Sequence, residues 1–301
     1  MIAARWPEVY VVGAGRSGTT ALHEFLGQHP DVRTCDRKSP NYFVSGFEQP
    51  GWETPQALAM AQHWVTDADD YRSMFGDAGN EGVLVDASPV YLQARGVAER
   101  IAAARPDARI VAMLRDPAER AFSHFVGRRR DGIELTDDFG TWLDRMEPYP
   151  LPDDVAFGHY VACGRYHHFL TPYVDTFGAD RVLVLFHDEF RTNPKAVLAR
   201  IFAFIGVNPD VAIDTAGEPN RSGVIGNPVL RHMWTGSVSV RTRLRPWLPE
   251  RLRKSVGGMV LAGIERPQMA PAGRARVVDQ LGADIERLEA FTGVDLSSWR
   301  C

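Results

Sequence analysis

The chain has 301 residues, with 34 Lys and Arg against 38 Asp and Glu, a formal net charge of -4 and a 45% hydrophobic composition. These are the proportions of an ordinary globular chain long enough to bury a large core. The acidic balance excludes a general nucleic-acid binder, which needs surplus Lys and Arg to displace phosphate counterions, but it leaves room for a local cationic pocket.

In chain order, the first element is the β-branched run Val9–Val12, which leads into Gly13-Ala14-Gly15-Arg16-Ser17-Gly18-Thr19-Thr20. A helical pattern follows over Ala21–Leu26, stopped by Gly27 and Pro30. Strand, glycine-rich turn and helix in succession open a nucleotide-binding α/β unit. Three further apolar runs, 82–86, 109–114 and 181–186, read as parallel strands covered on both faces. Helical patterns occupy 97–104, 118–129, 166–177 and 194–205, so the alternation predicts a three-layer α/β/α sandwich around a central parallel sheet. From Gly217 to Pro249 the chain is rich in Gly, Pro, Asn and Arg and reads as loops and short helices. A final amphipathic helix over 274–291 carries Val277, Val278, Leu281, Ile285 and Leu288 at helical spacing, a core-packing stripe. With no repeat and no linker, residues 1–301 are expected to form a single domain.

The remaining inventory sets compartment and contacts. Cys35, Cys163 and Cys301 are odd in number and widely spaced, giving no disulfide framework and no zinc pairing, as in a reducing compartment. The N-terminus has no basic start followed by an apolar stretch, and the run 256–264 is far short of the roughly 20 residues that span a bilayer. A cytoplasmic protein is expected. The segment 231–254 concentrates Arg241, Arg243, Arg245, Arg251, Arg253 and Lys254 among Trp234, Trp247, Leu244 and Leu248. It reads as a solvated basic loop or as a lid touching an anionic lipid surface or an acidic acceptor.

The chemistry concentrates in residues 13–20. Glycines let the backbone turn tightly around an anion, and the N–H groups of Ser17–Thr20 open a helix whose positive end favours phosphate or sulfate. Arg16 adds charge, and Thr19 and Thr20 add hydroxyl donors. A Walker A loop would place Lys where Thr19 stands, and an NTPase needs an acidic metal residue at a strand end, whereas the strand at 109–114 runs into Arg115. A cation there suits a ligand phosphate directly, with no metal expected.

Gly15-Arg16-Ser17-Gly18-Thr19-Thr20 resembles the 5′-phosphosulfate loop of sulfotransferases that use 3′-phosphoadenosine 5′-phosphosulfate (PAPS), and Leu114–Phe125 is similar to their 3′-phosphate strand and helix. The resemblance extends to Ser88–Leu92, to Gly164-Arg165-Tyr166 with Val182–Asp188, and to Leu288–Trp299. It implies a single sulfotransferase domain with PAPS as co-substrate and 3′-phosphoadenosine 5′-phosphate (PAP) as product. Gly15–Thr20, Arg115 and Ser123 would hold the nucleotide, with Arg221 as a further cation. The acceptor would be a hydroxyl of a small molecule, glycan or glycolipid. A non-catalytic PAP-binding relative and a P-loop-like kinase stay open as alternatives.

One departure concerns the base. Where the carbohydrate-sulfating branch often reads Lys-Glu-Pro-His-Phe, this chain reads Lys38-Ser39-Pro40-Asn41-Tyr42-Phe43, so Lys38 is kept and the Glu is replaced by Ser39. Arg16 would supply the charge that a loop Lys usually supplies. As bases the candidates are Asp86, His124, Asp36 and His63, in that order.

Overall fold

The computed structural model describes residues 5–45, 61, 63–76, 82–130, 133–136, 138–146, 159–216, 224–225, 264–265 and 267–301. Arg221 and the basic segment 231–254 lie outside them.

Strand β1 (Val9–Gly13) is buried at every position, because it runs down the centre of a sheet covered on both faces. Helix α1 (Thr19–Leu26) follows the glycine loop, then a short strand β2 (Val32–Thr34). Helix α2 (Ala68–Ser73) starts at Asp67, whose side chain accepts from the N–H groups of Asp69 and Asp70. Next come β3 (Val83–Ala87), α3 (Val97–Ala104), β4 (Arg109–Leu114) and α4 (Pro117–Arg130). Helices α5 (Phe139–Met146) and α6 (Tyr166–Phe177) lead to β5 (Val182–Phe186), α7 (His187–Thr192) and α8 (Pro194–Ile205). A two-residue antiparallel pair, β6 (Val224–Ile225) with β7 (Ile264–Glu265), precedes the long α9 (Pro271–Thr292).

The five main strands are parallel in the order β2-β3-β1-β4-β5. Strand alternation divides the core. Tyr10, Val12, Ile110, Ala112 and Leu114 face one apolar cluster with residues of α3, α4, α6 and α9; Val9, Val11, Val111 and Met113 face another with α1 and α8. The result is the three-layer α/β/α sandwich expected from the alternation of runs. Among the described residues no helix is long and apolar enough to cross a membrane.

Two differences from the sequence reading have simple causes. β2 is only Val-Arg-Thr, with Val32 alone buried, so it carries too little pattern to be read as a strand. The run at 181–186 reads as covered on both faces, but β5 is an edge strand and has half-buried residues at Leu183, Val184 and Phe186.

Candidate active site

The end of β1 places the glycine loop at the carboxyl edge of the sheet, next to the point where β4 ends. The N–H of Ala14 donates to Met113 O at 2.7 Å, tying the loop to β4. Gly18 caps α1 with φ 88, a left-handed conformation that glycine adopts without cost, and no side chain caps the helix. The amino end of α1 therefore presents uncapped backbone N–H groups and the dipole end that favours an anion. Ser17 is fully buried, Thr19 nearly so and Thr20 half-buried. Arg16 also has a positive φ, of 75, which for a side-chain-bearing residue costs on the order of 1–2 kcal/mol. Such strain at a loop cation marks a position where the direction of the side chain matters.

That direction is toward α4. The Arg16 Nε donates to Ser123 Oγ at 3.3 Å, and the Nη1 of Arg115 donates to the carbonyl of Arg16 at 3.4 Å. The two sequence motifs, 99 positions apart at their cations, are thus one cationic surface. Arg115 is oriented from two further sides. Its Nη2 donates to Glu119 Oε2 at 3.3 Å, and its carbonyl accepts from the Tyr166 hydroxyl at 2.8 Å.

The neighbouring carboxylate, Asp116, is occupied by structure. Its Oδ1 accepts from the N–H groups of Ala118 and Glu119 at the start of α4, and its Oδ2 accepts from Arg274 Nη2 at 2.6 Å. From the same last helix, Asp284 accepts from the N–H groups of His167 and His168 and so caps α6. Under the loop, His187 packs within 3.3 Å of the point a Gly18 Cβ would occupy; burial and the charge of Arg115 hold its pKa below the usual value.

A second polar network lies on the β3 side. Asp86 is fully buried; its Oδ2 accepts from Tyr71 (2.7 Å) and Tyr91 (2.9 Å), and its Oδ1 from Ser88 (2.7 Å). Burial pushes its pKa up to about 6, while these three donors pull the other way. The same hydroxyls hold the loop in which Ser39 replaces the family Glu: Ser88 Oγ accepts from Asn41 N at 3.2 Å, and Tyr91 Oη accepts from Phe43 N at 3.2 Å. Tyr42 stacks on Tyr71 with ring centres 4.6 Å apart. Ser39 Oγ donates to Ala87 O at 3.4 Å, and both Ser39 and Asn41 take positive φ. Lys38, half-buried, enters this loop with its pKa lowered by burial and partly restored by Glu24.

The other base candidates separate clearly. His124 follows Ser123, its ring 4.9 Å from that of Tyr160; burial and the charges of Arg120, Arg128 and Arg16 hold its pKa well below the usual value. It is neutral at pH 7. Asp36 and His63 are exposed. The structure therefore brings together Gly15–Thr20, Arg115 and Ser123, and gives Asp86 to a separate network. Sequence reading missed Tyr71, Tyr91, Glu119, Asp284 and Arg274, whose partners lie across the fold and leave no local spacing to detect.

Several known proteins are similar to this chain. The human bifunctional heparan sulfate N-deacetylase/N-sulfotransferase 2 is 28% identical over 211 residues, covering 68% of this chain and 22% of that protein. The Xenopus laevis N-deacetylase/N-sulfotransferase 1 is 27% identical over 209 residues, covering 67% of this chain and 22% of its own. The chain therefore spans less than a quarter of the length of these curated relatives. A crystal structure of a sulfotransferase from Alicyclobacillus acidocaldarius matches with a TM-score of 0.72 and 28% identity, covering 98% of this chain and 99% of that one. A model of the sulfotransferase family matches residues 7–210, from the start of β1 to beyond α8, and so takes in both phosphate motifs and the sheet that joins them. On that match the chain belongs to the sulfotransferase family.

Proposed function

We propose that the chain transfers a sulfuryl group from PAPS to a hydroxyl of a small molecule, glycan or glycolipid, releasing PAP. The observation that carries this reading is the contact of Arg16 with Ser123 and of Arg115 with the Arg16 carbonyl, which merges two anion sites into one surface for a doubly phosphorylated nucleotide. The residues present suit that ligand. The uncapped start of α1, with Gly15–Thr20, would hold the 5′-phosphosulfate, and Arg115 and Ser123 the 3′-phosphate. In the transfer, an S–O bond to the acceptor forms as the S–O bond to the phosphate breaks, and the acceptor proton leaves to a base. Arg16 supplies fixed charge near the breaking bond; as an arginine it stabilises charge without giving up a proton.

A kinase is disfavoured by Asp116. The carboxylate after β4 is committed to the α4 cap and to Arg274, so it does not present itself to a nucleotide metal. Among the catalytic candidates, Lys38 sits in the loop expected to meet the acceptor, and Asp86, with full burial and three donors, fits the role of that loop's anchor better than that of a proton acceptor. His124, neutral and next to Ser123, is the remaining candidate beside the loop cation, although the burial and arginine charges that keep it neutral also weaken it as a proton acceptor.

A second reading, transfer to an amine, is favoured by Ser39. An amine that enters unprotonated brings its own lone pair and asks less of a base, and the relatives above are named as N-sulfotransferases. We place the protein in the cytoplasm, with segment 231–254 as a contact for anionic lipid; flotation with anionic vesicles tests the latter. Radiolabelled sulfate transfer from PAPS to paired hydroxyl and amine acceptors decides between the readings. PAP binding without transfer to any acceptor in a broad screen would instead mark a non-catalytic relative.

A further inference from the structure

Gly127 lies in the middle of α4, buried, one turn beyond Ser123 on the same face. Glycine weakens a helix interior relative to alanine, and its backbone here is ordinary helix, so conformation gives no reason for it. Space does. A Cβ at position 127 would meet the Arg16 guanidinium at 3.2 Å from Cζ, 3.2 Å from Nη2 and 3.3 Å from Nη1. Three nearly equal distances place the flat fork face-on over the missing side chain, while its Nε reaches Ser123 Oγ one turn earlier.

We infer that Gly127 is a positioning residue: the notch it leaves in α4 seats the Arg16 guanidinium at the junction of the two phosphate subsites. The inference rests on the nucleotide reading above. The backbone of Arg16, fixed at φ 75, aims the side chain, and the notch with Ser123 fixes where its head stops. A side chain at 127 would lift the fork off the helix and away from the ligand edge it shares with Arg115.

The test is calorimetric titration of PAP together with thermal unfolding, for wild type, Gly127→Ala and Gly127→Leu, each also in an Arg16→Lys background. We expect the melting temperature of Gly127→Ala to rise, because alanine favours helix, while PAP affinity falls by roughly 3- to 10-fold, and by ~10- to 100-fold for Gly127→Leu if that variant folds. In the Arg16→Lys background, where no planar fork fills the notch, the alanine penalty should shrink to less than about 2-fold. Unchanged affinity in Gly127→Ala, an equal penalty in both backgrounds, or an affinity loss that merely follows a fall in melting temperature would overturn the inference. Failure of the wild-type protein to bind PAP would overturn the nucleotide reading instead.

Discussion

Two side chains carry separable properties. Arg115 holds charge at the end of β4 and is oriented by Glu119 and by the carbonyl of Arg16. Its replacement by Ala should weaken PAP binding by ~10- to 100-fold, the usual loss for a charge-assisted contact. Arg115→Lys should recover only part of this, since the fork is lost with the charge kept. Calorimetry on the two variants checks both expectations, and equal binding by Arg115→Ala and wild type would remove Arg115 from the site. Asp86 contributes to stability with the opposite sign from most carboxylates. Its folded pKa of about 6 stands above the ordinary 3.8. The folded protein thus holds the proton more tightly than the unfolded chain, and this contribution, full below pH 4, is lost as the pH rises to 6. At about 1.4 kcal/mol per unit, the whole change is at most ~3 kcal/mol. Asp86→Asn cannot titrate. Measured by urea unfolding from pH 4 to pH 7, wild type should lose stability relative to Asp86→Asn until about pH 6 and then run parallel to it. A constant difference across that range would contradict the assignment.

Among the elements, α6 and α9 hold Arg115 from behind, α6 through its carbonyl and α9 through its neighbour Asp116 and the start of α6. Tyr166, first residue of α6, donates to the Arg115 carbonyl, and Asp284 of α9 fixes the start of α6 through two N–H groups. Asp284→Ala should cost about 1–2 kcal/mol of stability. Tyr166→Phe should cost about 1 kcal/mol and raise the dissociation constant for PAP, because the freed carbonyl lets Arg115 shift. Urea unfolding and PAP titration of the pair separate the two effects. Here the sequence was legible only in part. The stripe of Val277, Val278, Leu281, Ile285 and Leu288 was readable because it recurs at helical spacing, and all but the half-buried Val278 are buried. Asp284 lies on the same face, and its value depends on where α6 starts, which no spacing within α9 encodes. Likewise the phosphate loop and Arg115 were readable as local motifs, whereas Tyr71 and Tyr91 became meaningful only once β3 set Asp86 between them. Helices of six residues such as α2 and α7 are too short to display a period.

For the whole molecule, a ligand that binds only the folded state should raise its unfolding temperature. PAP at a hundredfold excess over its dissociation constant adds ~2.7 kcal/mol, or on the order of 3–6 °C for a chain of this size. The shift should persist in EDTA, because the proposed contacts are direct. A shift abolished by the chelator would point back to a metal-dependent nucleotide enzyme. The net charge of -4 is compatible with this, since it is an average over the whole chain, within which the half-buried Arg16 and Arg115 and the buried Arg120 and Arg128 gather around one helix. A central parallel sheet followed from the run of apolar segments separated by helical ones; the order of its strands and the division of their residues between two faces became visible only in the folded chain.

The family match ends at residue 210, yet α9 begins at Pro271. Arg274, near its start, donates to Asp116, to Ser298 O and to Trp299 O, so the chain's last turn and the residue after Arg115 share one clasp. A chain ended after α8 would retain Arg16, Arg115, Ser123 and every strand of the five-stranded sheet. It would lose the clasp on Asp116 and the cap on α6 together, and with them two supports of Arg115. The part of the chain that the family model matches therefore leans on a helix that lies beyond it.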